Sequence, residues 1–128
     1  VPHTPPAIEE AAAVLKSDLN ADDLVLVAYQ TEFYVLDYYL RQAGARNVDM
    51  RCPLGELHWE RLEVTALRAE SILRDLESLL QSKRRIWTAG TSVPSYALLE
   101  KRSRKSDRSF HGQDGSEYHL RLYVTAPR

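Results

Sequence analysis

The sequence predicts an α/β domain: a small three-layer sandwich on a mainly parallel sheet of about four strands, with helices on both faces and a last strand that runs parallel or antiparallel. Three observations predict it. The run Leu24-Val25-Leu26-Val27-Ala28 has no polar alternation, as expected of a strand covered on both faces. It lies between two stretches whose apolar residues recur at helical spacing. Strand-like and helix-like stretches then alternate along the chain, with connections long enough for right-handed crossovers.

Taken in order, Pro2, Pro5 and Pro6 exclude a helix interior and make residues 1–6 an extended lead-in. From Ala7, the spacing of Ile8, Ala12, Leu15 and Leu19 predicts a helix, with Glu9 and Glu10 in the first turn, where they suit its dipole. "NADD" ends it, and the Leu24–Ala28 strand follows. A second helix is expected from about Thr31, its cap, to Ala43, stopped by Gly44. Phe33, Leu36 and Leu40 share one of its faces, Val35 and Tyr39 another.

"NVDMRC" alternates, with Val48, Met50 and Cys52 pointing one way, and reads as a short strand near a sheet edge. After a loop with Pro53 and Gly55, Leu67, Ile72, Leu73, Leu76, Leu79 and Leu80 form the apolar stripe of the longest helix, about Val64 to Ser82. "RRIWTAG" is a further strand, and "SVPSYALLEKRSRK" reads as a fourth helix with Ser92 as N-cap and Pro94 in its first turn. Past the "GQDG" turn, "SEYHLRLYVT" alternates with Tyr118, Leu120, Leu122 and Val124 on one face, a half-exposed last strand. No repeat or low-complexity linker divides residues 1–128, which are expected to form one domain.

A chain of 128 residues is long enough to bury roughly two thirds of its unfolded surface without metal or disulfide. With 17 Lys+Arg against 18 Asp+Glu the net charge is -1, which argues against a surface that is wholly a nucleic-acid footprint. Cys52 is the single cysteine, so no intrachain disulfide forms, and no stretch reaches the roughly 18 apolar residues of a membrane span. The opening "VPHTPP" lacks a Met, which suggests a processed or excised form.

Three corners could hold a ligand. Tyr29-Gln30-Thr31 has no glycine for close approach to a pyrophosphate, and Glu32 in the helix's first turn repels phosphate. Gly90, Thr91 and Ser92 are friendlier, with hydroxyls beside helix N-terminal amides, although the same residues make plain caps. In "PLGELHWER", Trp59 could stack on a sugar or base and His58 could move a proton with Glu56 or Glu60; a surface loop with one aromatic anchor has the same composition.

His3, His58, His111 and His119 are scattered without metal-ligand spacing, no nucleophile elbow or phosphate loop occurs, and Cys52 on an inward position reads as core. No cofactor or metal is implied. The basic run Lys101, Arg102, Arg104, Lys105 and Arg108 could contact anionic lipid head groups or a lipid-linked sugar, ahead of nucleic acid, or merely complement a helix C-terminus.

The order "DLVLVAYQTEFYVLDYYLRQAG", a long amphipathic helix, "KRRIWTAG", "LLEKRSRKSDRSFHG" and "YHLRLYV" resembles the soluble C-terminal domain of bacterial membrane glycosyltransferases of the GT-C, dolichyl- or polyprenyl-phosphate-mannose type. The matching positions are Asp23 to Val27, Tyr38-Tyr39, Arg85 to Trp87 and Leu98 to Gly112. The resemblance implies a non-catalytic domain on the extracytoplasmic face of the inner membrane, attached to the transmembrane portion of the same polypeptide and helping donor or acceptor access. It transfers no catalytic residue to this chain. Two other functions stay open: a free-standing small-molecule or nucleotide-binding α/β domain, and a protein-interaction module pairing through the last strand.

Overall fold

The structure, a computed structural model, describes residues 7–52, 71, 74–91, 99, 101–112 and 115–125. Its elements are α1 (Ala7–Asp18), β1 (Leu24–Val27), α2 (Gln30–Gln42), β2 (Asp49–Arg51), a third helix over residues 74–82 (α3), β3 (Arg85–Gly90), β4 (Ser103–His111) and β5 (Glu117–Val124). The fold is mixed α/β. Five strands form one sheet in the order β2-β1-β3-β5-β4.

Strands β2, β1 and β3 are parallel, whereas β5 runs antiparallel to both β3 and β4. The direction that the sequence left open is therefore settled, and the sheet is half parallel rather than mainly so. It also has one strand more than expected. The fourth helix predicted from Ser92 through Lys105 gives way by Ser103 to β4. A charged run with an apolar residue only at Phe110 has no inward face of its own, but as an outer strand it needs none: Ser106, Arg108 and Phe110 are held opposite Leu122, Leu120 and Tyr118 of β5. In consequence β5 lies inside the sheet, and the edge that the interaction-module reading placed on it belongs to β4.

The core forms on both faces of the sheet. Val25, Val27, Trp87, Ala89, Leu120 and Leu122 pack with Ala11, Ala12 and Leu15 of α1 and Leu36 and Leu40 of α2. Leu24, Leu26, Ile86 and Tyr123 pack with Leu76 and Leu80 of α3 and with Leu99. Every residue of β1 is fully buried, because alternate side chains enter different clusters. Each such Leu or Val contributes about 1.5–3 kcal/mol. Met50 is the buried residue of the short outer strand β2, as its alternation predicted.

Gly44 ends α2 as expected. Its φ of 93° lets the Ala45 N–H reach the Leu40 carbonyl at 2.8 Å and the Gly44 N–H reach that of Arg41 at 3.0 Å, a reciprocal pair that satisfies the last turn. The other end departs from expectation. The N-cap is Tyr29, extended and without a side-chain cap bond, and Thr31 lies within the helix.

Candidate functional site

Because β1 and β3 are parallel neighbours, with Val27 opposite Ala89, the corners that follow them open at the same edge of the sheet. There Glu32, in the first turn of α2, reaches across and its Oε1 accepts the Thr91 backbone N–H at 2.7 Å. The anion seat read at Gly90 and Thr91 thus already has a carboxylate on it. A phosphate would have to displace that group and face its charge.

Beside this bond lies a cavity of about 250 Å³. Ala7 and Ile8 of α1 and Val35 of α2 supply its apolar wall, with Thr31, Glu32, Thr91 and the start of β5 on the other sides. Two buried oxygens in the lining residues lack hydrogen-bond partners: Glu32 Oε2 and the Tyr118 hydroxyl. Tyr118 is only 3% exposed. Burial, and then the Glu32 carboxylate, push its phenol well above the ordinary range, so the hydroxyl keeps its proton and remains a donor.

The opposite edge of the parallel strands is built differently. Asp23, 3% exposed and immediately before β1, accepts the Arg85 Nε–H at 3.0 Å, the Trp87 Nε1–H at 2.9 Å and the Asn20 backbone N–H at 3.0 Å. The Arg85 guanidinium also donates to the Asp18 carbonyl at 2.9 Å and lies 5.9 Å from the Trp87 ring centre. A hollow of about 450 Å³ borders this cluster, but its Asp23 and Arg85 side chains already bond within the protein. The cluster joins α1, β1 and β3, and it is composed of three residues that carry the sequence resemblance: Asp23, Arg85 and Trp87.

Of the residues singled out from sequence, Thr91 lines the cavity and Gly90 precedes it as the last residue of β3, whereas Ser92 and the loop with Glu56, His58 and Trp59 fall outside the described residues. The basic run forms no continuous patch on a helix end. Arg102 turns inward, where its guanidinium donates to the carbonyls of Leu80 and, at 2.7 Å, Lys83, closing the end of α3. Burial lowers its pKa below the ordinary arginine value, yet a guanidinium stays charged there. Arg104 pairs with Asp107 at 3.2 Å and lies over Tyr123 on the α3 side of the sheet. Arg108, opposite Leu120, belongs to the α1 side. Lys105 stands at the irregularity in register between them, and Lys101, Lys105 and Arg108 are exposed.

Sequence reasoning did not bring Glu32 to Thr91 or single out the Tyr118 hydroxyl, and it missed a polar ladder on the β4–β5 hairpin. In that ladder Ser109 Oγ lies 3.1 Å from His119 Nδ1, and Glu117 lies 3.6 Å from His119 Nε2 and 3.5 Å from His111 Nδ1. The order Ser–His–acid resembles a nucleophilic relay, but 3.6 Å exceeds a hydrogen bond and Ser109 is exposed on an outer strand. It is a cross-strand polar contact.

Among the described residues no group of three or more His, Cys, Asp and Glu could hold a metal ion, and no helix is long and apolar enough to cross a membrane. No family model matches this chain, and no curated protein does. Among solved structures, one match is an uncharacterized protein from Listeria monocytogenes serotype 4b, at 10% identity over 98% of this chain and 70% of that one; its TM-score of 0.43 sets no constraint on function.

Proposed function

We propose that this chain is a non-catalytic domain of a bacterial membrane glycosyltransferase using a polyprenyl-phosphate-linked sugar, placed on the extracytoplasmic face and joined to the transmembrane portion of its own polypeptide. The observation that carries this reading is the Asp23–Arg85–Trp87 cluster. Three of the positions that resemble that family's domain, Asp23, Arg85 and Trp87, meet in space as one structural unit, which supports reading them as a signature of the fold and not as a site of chemistry. In this reading α1 with α2, the sheet, and α3 are the three layers of a small sandwich.

The surface is compatible with such a setting. Tyr34 and Tyr38, 62% and 57% exposed, stand one turn apart on α2, and amphipathic rings of this kind favour a membrane–water boundary. Exposed Lys101, Lys105 and Arg108 would add attraction to anionic head groups. Cell fractionation with an antibody to this domain tests the reading. The expected result is a membrane-pelleted polypeptide released by detergent but not by alkaline carbonate, and cut by protease added to spheroplasts; recovery in the soluble fraction would sink it.

A second reading, a domain that binds a small molecule, is favoured by the cavity with its two unpartnered oxygens. Native buried polar groups nearly always have partners, so two unpartnered oxygens at one cavity support a ligand that would supply them.

A further inference from the structure

We infer that the cavity beside Glu32 and Tyr118 seats one uncharged, hydroxyl-bearing ring, a neutral sugar unit, and rejects phosphorylated sugars. The inference rests on the second reading above, that the cavity binds a small molecule.

Complementarity of hydrogen-bonding groups leads to this class. The Tyr118 hydroxyl, held protonated by its surroundings, needs an acceptor; Glu32 Oε2 needs a donor. A ligand alcohol is both, accepting from the phenol while donating to the carboxylate. An ammonium could serve Glu32 but has nothing to offer the phenol's proton. A phosphate or carboxylate offers acceptors alone and meets the charges of Glu32 and Glu117, both in the lining. Among the described lining residues no cation offsets them.

Shape agrees with chemistry. About 250 Å³ is slightly below the roughly 300 Å³ at which ligand clefts usually begin, which suits one ring and not a dinucleotide. Ala7, Ile8 and Val35 give the apolar wall against which the C–H face of a sugar can lie. From Val35 and Thr31 the lining passes to exposed Tyr38 and Tyr34, each three residues further along α2 and hence adjacent on the helix surface. Those rings offer a platform for whatever the ring is attached to.

Amide chemical shifts of the ¹⁵N-labelled chain, titrated with methyl α-mannopyranoside, glucose 6-phosphate and glucosamine, test the inference. Methyl α-mannopyranoside should shift the Glu32 and Thr91 amides saturably, while glucose 6-phosphate leaves them in place. Tyr118→Phe should weaken the glycoside by about fivefold to tenfold, the loss of one hydrogen bond. Its thermal midpoint should stay at or above that of the parent, because an unpartnered buried hydroxyl is removed. Glu32→Gln, similar in shape, should weaken the glycoside and reduce the discrimination against the phosphate. If none of the probes moves these amides, the binding reading falls and this inference with it. If the phosphate or the amine moves them and the glycoside does not, binding stands and the ligand class is overturned. Undiminished glycoside affinity in both variants would also overturn it.

Discussion

The two edges of the parallel strands differ in how their buried polar groups are treated. At the edge where β1 and β3 begin, the Asp23 carboxylate receives N–H groups from Arg85, Trp87 and Asn20. At the edge where they end, Glu32 Oε1 is bonded to Thr91, but Oε2 and the Tyr118 hydroxyl have no partner. Each edge has a carboxylate beside it, Asp23 just before β1 and Glu32 in the first turn of α2. The satisfied one holds three elements together, whereas beside the half-satisfied one two buried oxygens stay without partners.

The contrast is most directly tested by breaking the satisfied edge. Asp23→Ala leaves the Arg85 charge and the Trp87 N–H without their acceptor and should cost about 3 kcal/mol in urea unfolding. Glu32→Ala should cost less than about 1 kcal/mol in the same measurement, since one exposed-side bond to Thr91 is lost while an unpartnered oxygen disappears with it. Equal costs would erase the distinction between the edges.

Arg102→Met should fall between, at about 1–2 kcal/mol, because the Leu80 and Lys83 carbonyls at the end of α3 lose a charged donor. A local effect is expected: amide exchange should accelerate in α3 and remain slow in β1 and β5.

The smallest effect is a dependence on pH. Burial, followed by Glu32, raises the Tyr118 pKa in the folded state, so the unfolded chain loses this proton first. The stabilisation this represents is fully present below the unfolded value near pH ~10 and is lost as pH climbs towards the folded one. Tyr118→Phe should therefore lose less stability than the parent chain between neutral pH and pH ~11, in unfolding curves compared at the two values.

Much of this fold was legible in the sequence because local pattern and tertiary demand agree. The unbroken Leu24–Val27 run is buried on both sides, Gly44 adopts the left-handed backbone that ends α2, and Met50, Leu120 and Leu122 point inward as their alternation predicts. Strand β4 was not legible. Its residues favour neither a strand nor an apolar face, and only its pairing with β5 makes it one. The repulsion of phosphate by Glu32 could be read from its place in the first turn of α2. Its bond to Thr91, 59 residues on, could not, because it depends on β1 and β3 being neighbours. Tyr118 was correctly assigned to an inward face, but alternation says nothing about whether a hydroxyl at the end of an inward side chain finds a partner.

The charged character of β4 also bears on how the protein behaves at high concentration. An outer strand is a template on which another chain can extend the sheet, and unchecked extension ends in aggregates. Two copies meeting along β4 would bring Arg104, Lys105 and Arg108 of one towards the same cations of the other, while the break in register at Lys105 interrupts the straight ladder such growth requires. What looked in the sequence like a surface for attracting a partner thus also opposes growth of the sheet along β4.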